Sequence, residues 1–274
     1  MRKQILSLAM LICLITEDAF AIHPYKDYVA TPASYHLEYD SINISTKDHW
    51  VLTGWYCKPQ VDSSKFLIIL AGTDAGNMSY DLPIVQLLAT NFGVPVLLFD
   101  YRGFGSSQTF AYDSNAIGHP EYLVDVDAAV DFARHHYPSR KLILYGRSLG
   151  ASLAIIEGCR QSGISGIIAE SPYVSQQLLK EHFEAANPER PAIPIKSNDL
   201  EPLANIINFR SKNLLVVHGA KEQYILTSEL KPMVNKIPIK NKRFLDFEDC
   251  DHLELPFKQT LEFERALQIF FSGV

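Results

Sequence analysis

From Phe66 onward, short and nearly uninterrupted apolar runs alternate with longer amphipathic ones, and this alternation is the strongest constraint on the fold. Phe66–Leu70, Val94–Phe99, Lys141–Tyr145, Ile164–Ala169, Leu214–Val217 and Arg243–Phe247 read as strands. Leu82–Asn91, Tyr122–His135, Leu149–Cys159, Ser228–Lys236 and Thr260–Phe270 read as the helices between and after them. A strand that is apolar at every position needs cover on both faces, and a helix between successive strands returns the chain to the same end of the sheet. The pattern therefore predicts a mostly parallel, doubly wound α/β sheet. Tyr35–Ser45 and Val51–Cys57 instead alternate with period two and have no helix between them, so they are expected to form an antiparallel hairpin at the sheet edge. The rhythm breaks over Tyr173–Phe209: a helix candidate, Ser175–Ala186, is followed by an octet holding Pro188, Pro191 and Pro194, which prohibits a regular element. An insertion after a strand end in a compact α/β domain reads as a cap; a tether with no role at the site is the alternative.

Composition narrows the function classes. Of 274 residues, 47% are hydrophobic and 20% charged, and the net charge of −6 offers no basic footprint for nucleic acid. Arg2 and Lys3 precede an apolar run from Ile5 to Ile15, and Ala19-Phe20-Ala21 puts small residues at the −3 and −1 positions of a cleavage site. That is the layout of a secretory leader cut after Ala21, which predicts a secreted or periplasmic domain over 22–274. The run is shorter than the roughly 20 residues that span a bilayer, so no integral span is expected after cleavage. Cys57, Cys159 and Cys250 then remain, an odd number without close spacing. They predict buried thiols rather than a disulfide scaffold or a zinc site, and no metal or organic cofactor is implied.

In a parallel sheet, ligands bind beyond the carboxyl ends of the strands, so the residues directly after each strand carry the chemistry. Lys141–Tyr145 leads into Gly146-Arg147-Ser148-Leu149-Gly150, a G-x-S-x-G between a strand and a helix. A turn that sharp strains the central residue, and glycine on either side lets it close. Ser148 is the candidate nucleophile, and the Leu149 amide, at a helix N-terminus, is a candidate oxyanion donor. A serine hydroxyl needs a base; His252 follows the last strand and is the only histidine in that loop. Glu222 is the first carboxylate after Leu214–Val217 and is the candidate acid that orients His252; Glu170, at the end of the preceding strand, competes for that role. Asp246, Glu248, Asp249 and Asp251 are too near His252 in sequence to reach around its ring easily. The second oxyanion donor is expected in Ala71-Gly72-Thr73-Asp74-Ala75-Gly76-Asn77, at the Thr73 amide, with Asp74 as the alternative.

These motifs, together with Asp100-Tyr101-Arg102-Gly103-Phe104-Gly105-Ser106-Ser107, Glu170-Ser171-Pro172-Tyr173 and His218-Gly219, resemble the α/β-hydrolase superfamily from about Phe66 to the C-terminus. The branch they resemble most holds monoacylglycerol-lipase-like, lysophospholipase-like and palmitoyl-thioesterase-like serine hydrolases. The resemblance implies an α/β-hydrolase fold and hydrolysis of an ester or thioester, with a small-molecule or lipid-like acyl substrate. It also implies that Arg102 and its neighbouring glycines shape the loop beside the nucleophile. Three features depart from the pattern. The oxyanion loop begins Ala71-Gly72 where the branch has His-Gly, Glu222 stands where Asp is usual, and Cys250-Asp251 replaces the glycine that usually precedes the histidine. Two other readings remain open: a peptidase or amidase on the same residues, and a non-catalytic binding protein of the same fold.

Overall fold

A computed structural model describes residues 22–62 and 64–274, so the expected leader over 1–21 lies outside the described residues. The main sheet comprises β1 (Glu38–Ser45), β2 (Val51–Lys58), β3 (Phe66–Ala71), β4 (Val96–Phe99), β5 (Lys141–Arg147), β6 (Ile164–Glu170), β7 (Asn213–Gly219) and β8 (Asn241–Phe247). Across the sheet the order is β1-β2-β4-β3-β5-β6-β7-β8. β2 pairs antiparallel with both β1 and β4, and the other neighbours are parallel. The longer helices are α1 (Leu82–Phe92), α2 (Glu121–His136), α3 (Leu149–Arg160), α4 (Gln176–Ala186), α5 (Thr227–Lys236) and α6 (Thr260–Gly273).

Successive strand residues enter opposite cores. Leu67, Ile69, Leu142 and Leu144 pack with residues of α2, α3 and α5, whereas Ile68, Leu70, Ile143 and Tyr145 pack with residues of α1 and α6. This two-sided burial is why those strands are apolar at every position. The elements differ from the sequence reading mainly at their ends. β5 and β6 each run past the apolar core to a charged residue, Arg147 and Glu170, at the carboxyl rim. β4 begins only after Pro95, which has no amide to donate to a ladder. Tyr35 belongs to a 3-10 turn, Pro32–Tyr35, rather than to the hairpin; proline starts that turn and His36, in the left-handed region, ends it. An additional parallel pairing, His23–Pro24 with Ala75–Gly76, ties the N-terminal segment to the loop after β3.

The 173–209 insertion is docked rather than a free tether. Ile193 and Leu200 are buried in the core beneath it. Tyr173 donates its hydroxyl to the Leu200 carbonyl (3.0 Å), and Glu201 accepts from Gln176 N–H at the start of α4 (3.1 Å). Lys196 pairs with Asp113 across to the loop before α2 (2.6 Å). On the acid side, His182 Nδ1 contacts the Tyr224 carbonyl at 2.9 Å. Cys57, Cys159 and Cys250 are buried free thiols, as expected.

Candidate active site

Ser148 stands between the last residue of β5 and the first of α3 with φ 53° and ψ −115°, in the positive-φ region that a non-glycine residue occupies only under constraint. Local sequence permits the turn. A Cβ on Gly146 would lie 2.1 Å from the Gly150 carbonyl oxygen, and one on Gly150 would lie 2.2 Å from that of Ala71, so a side chain at either position would have to displace backbone. The strained residue is pinned by its own amide, which donates to the Glu170 carbonyl (2.9 Å). Gly150 N–H donates to the Gly72 carbonyl (3.1 Å), which joins the Ser148 turn to the loop after β3.

The fold brings together three residues far apart in sequence. His252 Nε2 lies 3.0 Å from Ser148 Oγ, and His252 Nδ1 is hydrogen-bonded to Glu222 Oε2. Glu222 is buried, while Ser148 and His252 are half-buried and reachable from solvent. Burial works against ionising Glu222, but the neighbouring His252 charge, the hydrogen bond to it and His218 outweigh burial and hold the carboxyl below the ordinary glutamate range. Burial likewise favours the neutral His252 ring. The Glu222 carboxylate and its hydrogen bond outweigh it, with Asp74 and Glu170 adding to the effect, so the imidazole is raised above the ordinary histidine value.

Glu170 does not touch His252. Its Oε2 accepts from Arg147 Nε (2.9 Å) and from the Tyr145 hydroxyl (2.8 Å). Of the carboxylates near His252 in sequence, Asp251 accepts from the His252 backbone amide (2.7 Å), Asp249 faces Lys221 (3.6 Å) and Asp246 accepts from the Thr227 hydroxyl (3.1 Å).

Among the described residues, no protein acceptor takes the backbone N–H of Leu149 or of Thr73. The next two helix amides are committed: Gly150 to Gly72, and Ala151 to the Ser148 carbonyl (3.0 Å). The Thr73 hydroxyl donates to the Ala75 carbonyl (2.8 Å), which braces the loop locally. The carboxyl of Asp74 in that loop is raised by burial, against the pull of His252.

The 100–107 segment buttresses this loop. Asp100 accepts from Met78 N–H (2.7 Å) and from the Tyr28 hydroxyl (2.7 Å), and burial pushes its carboxyl up to about 6. Arg102 is fully buried; it donates to Asp125 (2.8 Å) and Asp48 (2.6 Å) and lies 5.3 Å from the centre of the Trp50 ring. These contacts tie the segment to α2 and to the turn between β1 and β2. The sequence reading missed Asp81, which is buried below the loop after β3 and paired with Arg147 across 66 positions of sequence. No local signal marks such a pair.

This strand order, with the sharp serine turn after β5, is the α/β-hydrolase fold. Residues 65–195 match a family described as "Hydrolase_4: Serine aminopeptidase, S33". The chain is 23% identical over 232 residues to a Saccharomyces cerevisiae protein described as an uncharacterized membrane protein, YNL320W, covering 83% of this chain and 78% of that protein. In structure it is similar to the Pyrococcus furiosus esterase Pf2001, with a TM-score of 0.79 at 19% identity over 93% of this chain and 97% of the esterase. It also superposes on part of a Pyrococcus horikoshii acylaminoacyl peptidase, with a TM-score of 0.65 at 15% identity, covering 86% of this chain and 41% of the peptidase. Proteins described as an esterase and as peptidases are thus both among those it is similar to.

Proposed function

We propose that this chain is a serine hydrolase that cleaves carboxylic esters or thioesters through an acyl-enzyme. The carrying observation is the unbroken line of hydrogen bonds from Glu222 through His252 to Ser148. In this reading Ser148 Oγ attacks the acyl carbon while its proton passes to His252 Nε2. Glu222 keeps the Nδ1 proton facing it and stabilises the imidazolium. The free amides of Leu149 and Thr73 receive the oxyanion, each such donor contributing about 2.7–4 kcal/mol. Collapse breaks the bond to the alkoxide or thiolate, which leaves with the proton from Nε2. Water, deprotonated by the same nitrogen, then releases the acid and restores Ser148.

A second reading, a peptidase or amidase, is favoured by the match to the serine aminopeptidase family over 65–195. Both readings predict that a fluorophosphonate labels the wild type and does not label Ser148→Ala. A panel of p-nitrophenyl esters, acyl thioesters and aminoacyl amides separates them, the first reading expecting turnover of esters and thioesters well above amides. Folded wild type that takes no label would favour a non-catalytic binding protein instead. We also infer export with cleavage after Ala21, which predicts that protein recovered outside the cytoplasm begins at Ile22 by mass spectrometry; recovery with residues 1–21 attached refutes it. No helix among the described residues is long and apolar enough to cross a membrane.

A further inference from the structure

Directly behind the nucleophile lies a buried cluster of charge that the hydrolytic steps do not use. Arg147, the residue before Ser148, donates from Nη1 to Asp81 Oδ1 (2.5 Å) and from Nε to Glu170 Oε2 (2.9 Å). The three side chains are 4%, 5% and 1% exposed, so water does not screen them. The Tyr145 hydroxyl donates to the same oxygen of Glu170, whose other oxygen, Oε1, is buried without a partner among the described residues. Each member belongs to a different wall of the site. Asp81 closes the 3-10 turn after the oxyanion loop, and its Oδ2 lies 2.8 Å from where a Cβ on Gly72 would stand. Arg147 ends β5 at the nucleophile. Glu170 ends β6, and its carbonyl accepts the Ser148 amide (2.9 Å).

We infer that Arg147 is a positioning residue: its guanidinium holds the oxyanion loop, the nucleophile turn and the end of β6 in one register. The inference rests on the serine-hydrolase reading. The planar fork of a guanidinium can donate to two carboxylates on different sides, which a shorter, single-point ammonium cannot do at the same spacing. Glu170 also acts electrostatically on the proposed base. The titratable groups that act on His252 are Glu222, Asp74, Glu170 and His218. Glu170 thus has two tasks, anchoring Arg147 and favouring the imidazolium of His252 from a distance.

The test uses the full chain with a p-nitrophenyl ester, rates being normalised to fluorophosphonate-titrated sites so that unfolded protein does not count. Arg147→Lys is expected to lower kcat about 10–100-fold with KM within about threefold of wild type, because the reacting groups rather than the substrate are displaced. Glu170→Gln keeps the shape and is expected to move the acid limb of kcat/KM to lower pH, since removing a negative charge disfavours the imidazolium. A purely structural role would leave that limb in place. If Arg147→Lys does not fold, Asp81→Asn, which leaves the Arg147–Glu170 pair intact, is read in its place with the same expected loss in kcat. An active wild type together with a kcat within about twofold of it in the arginine or aspartate variant, or an unmoved limb in Glu170→Gln, overturns the inference alone. A wild type that neither turns over nor takes the label overturns the hydrolase reading and this inference with it.

Discussion

Gly150→Ala separates stability from activity in this fold. The added methyl would stand 2.2 Å from the Ala71 carbonyl oxygen and 2.5 Å from that of Gly72, where ordinary contact begins at 3.4 Å. Both neighbours are backbone, so neither can rotate away, and the loop after β3 must retreat from α3 by about 1 Å. That movement stretches the 3.1 Å bond from Gly150 N–H to the Gly72 carbonyl and draws Thr73 away from Leu149. Overpacking of this kind costs about 1–3 kcal/mol, while alanine in place of glycine within a helix returns about 1 kcal/mol. The net loss of about 0–2 kcal/mol lowers Tm by no more than about 8 °C in a domain of this size. Separating the two proposed oxyanion donors is expected to cost far more in rate, about 10²–10³ in kcat. Calorimetry and ester hydrolysis per fluorophosphonate-titrated site read the two effects independently. Full turnover per site in Gly150→Ala would refute the two-amide oxyanion hole, and a collapse of Tm that removed the folded state would refute the packing estimate.

Ser148→Ala and His252→Ala are each expected to lower kcat by about 10⁴–10⁶; near-full turnover of either would reassign the nucleophile or the base. Because only neutral His252 can take the serine proton, and Glu222 raises its pKa above the ordinary 6.5, kcat/KM is expected to fall as pH drops through a limb above 6.5. Glu222→Gln should move that limb to lower pH and lower the plateau, so a limb that stays fixed in a pH-rate series counts against Glu222 as the partner. Glu157 lies fully buried in α3, where burial first and the Asp127 charge second push its carboxyl up to about 8 from 4.5. Its protonated form favours the folded state, so this contribution is complete below 4.5 and is lost as pH rises through 8. Tm of the wild type is therefore expected to decline relative to Glu157→Gln between about pH 5 and about pH 9, and parallel curves in differential scanning fluorimetry would contradict the assignment.

Much of this molecule is legible locally. The parallel sheet follows from strands apolar at every position, because two-sided burial leaves a mark on each residue. Ser148 is legible because a strand that turns at once into a helix requires Gly146 and Gly150 on either side, and that requirement is written within five residues. Element ends were less legible. Arg147 and Glu170 finish their strands as charged residues, and their pairing with each other, with Asp81 and with Tyr145 keeps those buried positions tolerable.

Both Glu222 and Glu170 are buried carboxylates at the carboxyl rim of the sheet, and chain order favours Glu222, which follows β7, over Glu170, which ends β6. The reason Glu170 is not at His252 belongs to the tertiary structure. Glu170 is held by Arg147 and Tyr145, while the loop after β7 carries Glu222 to Nδ1 of His252. The Asp81–Arg147 contact is of the same kind, since a hydrogen bond between distant segments leaves no periodicity behind. Patterns repeated along the chain record what each element buries, so the sequence by itself determined the layers and the serine turn. Which charged groups share an interior depends on how those elements stack, and only the folded sheet decided that.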